Sequence, residues 1–182
     1  MHRLAILMIP IVALTVSCGG PIETRIQTQA GSALPAQKQY SFTAKPEQNS
    51  EAYNKARKMV ADTLAAKGFG LVDQAPTLVH IALASRPASI AMTTGEDGNV
   101  SRIAEPKKRK PLQSCEDIEH RLILNMVNAS DGSTVYSGTA AEYHCKGSME
   151  QSLPHLIDAA LSDLGNSNQG NNSKTLTRSG IE

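Results

Sequence analysis

Tryptophan is missing from this 182-residue chain, and aromatic residues make up only 3% of it. A core must therefore be assembled from Leu, Ile, Val, Met and Ala, and no exposed aromatic platform is available for stacking nucleic-acid bases. An excess of either charge is missing too. The formal net charge is +1, with 19% charged and 40% hydrophobic residues, which excludes both a disordered acidic tail and a basic nucleic-acid coat. No internal repeat is found. Nothing matches a phosphate loop, a zinc-binding helix or a nucleophile elbow, so no cofactor, metal site or catalytic residue is expected.

A long apolar run is also lacking. Leu4 to Val16 is broken only by Pro10, but it falls short of the roughly 20 residues a membrane-spanning helix needs. It does suit the core of a signal peptide, preceded by the basic His2-Arg3 end. The run closes on Leu14-Thr15-Val16-Ser17-Cys18, which resembles the bacterial lipobox, where a small residue precedes the cysteine that receives diacylglycerol. Thr15 stands where the commonest lipobox has Leu. A plain secretory signal with an incidental cysteine is the alternative. Two or more acyl chains on Cys18 would anchor the chain stably, whereas one binds only marginally. Gly19 rather than Asp follows, which under the sorting rule of enteric bacteria points to the outer membrane, facing the periplasm. The chain is thus expected to divide into a signal peptide (1–17), a lipidated cysteine with a flexible tether (18–36), one domain (37–165) and a disordered polar tail (166–182).

Two further cysteines, Cys115 and Cys145, are expected to pair in an oxidising periplasm. Metal binding or redox exchange by the same pair is less well supported, because Cys-x-x-Cys spacing and a third ligand are lacking. His120 to Asn128 alternates, with Leu122, Leu124 and Met126 on one face. Asn128 to Gly132 is rich in turn formers, and Ser133 to His144 resumes as a strand. Setting Cys115 opposite Cys145 places Arg121 across from Thr139, Ile123 from Ser137 and Leu122 from Gly138, which keeps the apolar set together.

Elsewhere, Gln39 to Thr43 reads as a first strand. Ser50 caps a helix whose stripe includes Tyr53, Ala56, Val60 and Leu64, and which Gly68 ends. Leu78 to Ala84, apolar on both faces apart from His80, reads as a central strand. Ile90 to Thr94 is a candidate strand, Gly95 to Asn99 a turn. Met149 to Leu164 carries a second helical stripe, ended by Gly165, with Pro154 tolerable only near its first turn. The expected fold class is α+β, a two-layer sandwich with two helices on one face of a mostly antiparallel sheet.

Three stretches carry a family likeness: Tyr40-Ser41-Phe42; Leu64 to Phe69 followed by Ala75 to Val79; and Asn128 to Gly138. Together they resemble the lipoproteins of the domain of unknown function 4136 family, found in Gram-negative bacteria. Two departures stand out: Thr77 lies where the family usually has a nearby Asp, and Tyr136 replaces its hairpin Trp. The resemblance implies an α+β envelope lipoprotein and transfers no catalytic residue.

The most distinctive polar feature is a candidate anion-binding loop, Lys107, Lys108, Arg109 and Lys110, suited by charge to lipid phosphates or an acidic partner. A solvated loop is the alternative. Glu116, Asp117 and Glu119 are expected on a solvated edge, and His80 and His120 as partly buried strand residues. Ser130, Asp131 and Ser133 are explained by turn chemistry. The chain is therefore expected to be a non-enzymatic, periplasm-facing binding or assembly module, anchored to the membrane and partnered by another envelope protein, with no nucleic acid bound. An enzyme acting on cell-wall or lipid substrates and an anionic glycolipid-binding module are the alternatives.

Overall fold

The structure, a computed structural model, describes residues 21–31, 36–46, 50–94, 101–109, 115–166 and 170–180. The leader, Cys18, the 95–99 turn and Lys110 lie outside the described residues. In chain order the elements are β1 (Ile22–Ala30), β2 (Gln39–Phe42), α1 (Glu51–Ala66), β3 (Gly70–Leu71), β4 (Thr77–Pro87), β5 (Met92–Thr94), β6 (Ser101–Ala104), β7 (Ile118–Asn128), β8 (Thr134–His144), α2 (Met149–Ala160) and β9 (Gly170–Arg178). Seven strands form one sheet in the order β3-β2-β4-β7-β8-β1-β9, while β5 and β6 make a separate ribbon. β2 runs parallel to β3 and β4, and the other pairings are antiparallel. With α1 and α2 packed on this sheet, the domain is the expected α+β sandwich.

β7 and β8 form the expected hairpin in a different register. Arg121 lies opposite Ala141 rather than Thr139, Ile123 opposite Thr139, and Leu122 opposite Ala140. The slip is two residues, so every side chain keeps its face, and Leu122, Leu124 and Met126 are each 0% exposed. The difference arises because the two cysteines are not a cross-strand pair of the ladder. Cys115 precedes β7 and Cys145 follows β8, so their bond spans the open end of the hairpin, with a Cα separation of 5.8 Å. A bulge at Met126–Val127 adjusts the turn end.

Both helices begin where the capping chemistry demands. Ser50 accepts a hydrogen bond from the Tyr53 N–H, and Gly68 leaves α1 at φ +83°. Ser148 and Gln151 make a reciprocal capping box on α2. Pro154 sits in the second turn rather than the first, on the exposed side of α2, where it removes the backbone hydrogen bond to the Glu150 carbonyl. The end of α2 rests directly on β8. The Tyr136 hydroxyl donates to the Ala160 carbonyl at 2.6 Å.

Two boundaries are corrected. Residues 22–30, expected as tether, are strand β1, inserted between β8 and β9. Ile22, Thr24, Ile26 and Thr28 point into the domain, while the charged and amide residues between them face out. Residues 170–178, expected as disordered tail, are strand β9 on the sheet edge. Polarity misled both readings: half the inward positions of β1 are threonines, and β9 is held by its backbone ladder and a few long side chains rather than by apolar burial.

A Cβ added at Gly138 would lie 2.0 Å from the Ala160 carbonyl oxygen, a backbone atom that cannot step aside. Gly138→Ala is therefore expected to destabilise the domain by about 2 kcal/mol or more, through forced separation of α2 from β8. Urea denaturation measures it; an unchanged midpoint would refute this close approach.

Candidate functional site

One end of the sheet gathers most of the buried polar groups. Pro87 at the end of β4 lies beside Ile118 at the start of β7, and Ile118 beside His144 at the end of β8. Glu23, one residue into β1, pairs with Tyr143, and Ile22 with Arg178 at the end of β9. Polar centres occupy both faces there.

On the helix-covered face, Glu142 is 0% exposed. Its carboxylate accepts from Arg178 at 3.0 and 2.9 Å and from the Thr24 hydroxyl at 3.2 Å. His144 lies between Glu142 and α2: its Nε2 is 2.8 Å from Ser152 Oγ, and its Nδ1 accepts the Gly147 N–H at 3.1 Å. The His120 ring lies 4.9 Å from that of His144, and its nitrogens reach Ser85 Oγ at 2.9 Å and the Gly147 carbonyl at 3.2 Å. Burial alone would raise the Glu142 carboxyl, but the hydrogen bonds from Arg178, Ser152 and Thr24 hold it below its ordinary value. Burial, reinforced by the neighbouring His120, lowers His144 from 6.5.

Proton directions decide what this cluster can do. Because Nδ1 of His144 accepts from Gly147, the neutral ring carries its proton on Nε2 and donates it to Ser152. Ser152 in turn donates to Glu142. An activated serine needs the reverse, an imidazole nitrogen that accepts its proton. Ser152 is also 0% exposed. The cluster is built as a polar brace joining β8, α2 and β1.

On the opposite face, Glu119 is 1% exposed and pairs with Arg121 at 2.6 Å and with Arg86. Burial would raise this carboxyl too, yet Arg121, Tyr143 and Arg86 hold it low. The Tyr143 ring is flanked by two cations, Arg25 and Lys107, each 4.8 Å from its centroid. Lys107 also pairs with Asp117 at 3.4 Å.

These contacts revise the expected roles. Glu119 is a buried ion-pair residue rather than part of a solvated edge, because Arg86, Arg121 and Tyr143 enclose its carboxylate; Glu116 is exposed and Asp117 half-buried. Lys107 pairs with Asp117 and packs on Tyr143, its side chain only 10% exposed, while Lys108 and Arg109 are exposed among the described residues of the basic loop. A cavity of 260 Å³ at the loop is lined by Ala88, Lys107, Lys108 and Arg109 but also by Glu116 and Asp117, so acid faces base. His80 is exposed, and His120 buried. Asp131 accepts the Ser133 N–H and Asn128 that of Ser130, as turn chemistry requires. Among the described residues, no three His, Cys, Asp or Glu side chains converge on a metal position.

Glu142, His144, Ser152 and Arg178 were not singled out from the sequence. A signal existed: Glu142 and His144 share the parity of Tyr136, Gly138 and Ala140, so the inward face of β8 turns polar at its end.

No family model matches the chain, and no curated protein sequence does. Among solved structures, it is similar to a PDZ domain protein from Parabacteroides distasonis, with a TM-score of 0.54 at 9% identity over 86% of this chain and 39% of that one. The likeness concerns the fold alone, and this chain spans 39% of that protein's length. Two structures of PelC from Paraburkholderia phytofirmans, both solved as dodecamers, align at lower TM-scores. A single-substitution variant gives 0.49 at 19% identity, over 80% of this chain and 99% of that one. The other gives 0.47 at 14% identity, over 78% and 97%.

Removing Arg178 strands a buried carboxylate. Arg178→Met is expected to cost about 2–4 kcal/mol, discounted for the partial exposure of the guanidinium, with part recovered in the Glu142→Gln/Arg178→Met double variant. Equal loss in both variants would refute the pairing. Acid should act through His144. Its folded value lies below 6.5, so the unfolded chain binds that proton more readily, and the contribution present at neutral pH is lost as pH falls below 6.5. Glu142 and Glu119 add a second loss at lower pH, below their ordinary 4.5. Denaturant midpoints should therefore fall between about pH 7 and 5, and His144→Gln should flatten that slope.

Proposed function

We propose that this chain is a lipid-anchored, periplasm-facing module of the cell envelope, most consistent with the outer membrane, that works by binding or assembly rather than catalysis. The observation that carries the reading is how the three cysteines divide. Two of them, Cys115 and Cys145, close the open end of the hairpin within the fold. Cys18 is left directly after an apolar leader, where acylation requires it. The non-enzymatic part of the reading is supported by the helix-face cluster, whose proton directions oppose activation of Ser152. Kinship with the domain of unknown function 4136 lipoproteins belongs to the same proposal, as does a protein partner in the envelope.

In cell fractionation, the parent chain should sediment with membranes and carry an acyl-sized mass addition at Cys18. Cys18→Ser should lose that mass and appear in the soluble fraction. A parent without lipid mass, fractionating like the variant, would end the proposal.

A further inference from the structure

The same end of the sheet that holds both polar centres is where the chain enters the fold. Only Gly19, Gly20 and Pro21 separate Cys18 from Ile22, the first residue of β1. Four residue steps span at most about 14 Å at full extension. The headgroup layer of one leaflet takes up about 5–7 Å of that reach. A body joined to acyl chains by so short a connection cannot stand away from the surface.

What that end exposes has a definite chemistry. Ile118 is 39% and Ile90 56% exposed, two of four large hydrophobic side chains that face solvent among the described residues. Both sit at the shared end of β4 and β7, where Pro87, three residues before Ile90, pairs with Ile118. The Ala88 N–H donates to the Asp117 carbonyl at 2.9 Å, and the Ile90 N–H to that of Pro87 at 3.2 Å. Lys108, Arg109 and Lys146 are exposed at the same end: Lys107 N–H donates to the Ala88 carbonyl, and Lys146 follows Cys145, which is bonded to Cys115. Apolar side chains bordered by long cationic ones suit a bilayer interface, where the isoleucines enter the acyl boundary and the cations remain among phosphates. Glu116 lies among these cations, so the patch is not a bare anion receptor, and apolar insertion carries the contact.

We infer that the domain lies directly on the leaflet that holds its anchor, with Ile90 and Ile118 inserted at the acyl boundary and the β7–β8 turn pointing away. The occupant of this surface is the anionic phospholipid bilayer itself. The inference rests on acylation of Cys18 and adds to it a fixed orientation. The far end provides the contrast, since β8 is 11 residues long and carries the turn about 35 Å from the membrane.

Because the native chain has no tryptophan, single reporters can be read without background. The full acylated chain is reconstituted into phosphatidylethanolamine–phosphatidylglycerol vesicles with brominated acyl chains, carrying Ile90→Trp, Ile118→Trp or, at the exposed turn, Ala129→Trp. The expected result is blue-shifted emission quenched by bromine at positions 90 and 118, with solvent-like, unquenched emission at 129. Two near-end reporters keep the test open if one substitution disturbs folding. Mass spectrometry of the same samples reads lipid on Cys18. Lipid present with positions 90 and 118 unquenched would overturn the orientation alone. Lipid absent would overturn the anchor, and the orientation with it.

Discussion

A carboxylate with no contact with water must be compensated by the protein or give up its charge, and Glu142 dictates much of this architecture for that reason. Its partners come from elements far apart in the chain. Arg178 brings the last strand, Thr24 the first, and Ser152, which also bonds His144 at the end of β8, the second helix. Each supplies hydrogen bonds rather than apolar area. The sheet therefore extends past β1, which contributes Ile26 to the hydrophobic core, to an edge strand β9 that has no buried side chain at all. Satisfied polar networks of this sort specify geometry as strictly as apolar packing does.

This division explains which parts of the fold were legible from residues alone. Elements that bury apolar side chains at a regular period were read correctly in type and face: α1 through Tyr53, Ala56, Val60 and Leu64, and the hairpin through Leu122, Leu124 and Met126. The caps at Ser50 and the exit at Gly68 follow from backbone chemistry that needs no tertiary context. β1 and β9 were misread because their stability is tertiary. A polar strand looks like a linker until the partner that satisfies its backbone is known. The two-residue slip in the hairpin has a similar origin, since parity fixes faces but only the turn and its bulge fix register. The candidate site was half legible. Cys115 and Cys145 were paired on sequence grounds, whereas the brace of Glu142, His144, Ser152 and Arg178 needed the third dimension.

The disulfide and the back-face ion pairs act on the same stretch of chain. Cys115–Cys145 closes a separation of 30 residues, which by loop-closure entropy contributes about 3–4 kcal/mol. The excursion between β4 and β7 is the longest departure from the main sheet, and its return is clasped by Lys107 with Asp117 and by the two cations on Tyr143. Covalent and ionic restraints thus converge on the end where the chain enters. The opposite end is restrained mainly by turn chemistry around Asn128 and Asp131.

The position of β1 also bears on the order in which the sheet can assemble. A polypeptide made from its amino end presents β1 first, yet its two neighbours in the sheet are the last strands in the chain; Thr24 and Glu142 alone are 118 residues apart. Pairing over such a span is slow, because the intervening chain must be closed before any contact rewards it. β1 consequently has no local partner early in synthesis, and it joins the sheet only after the hairpin and the last strand are available.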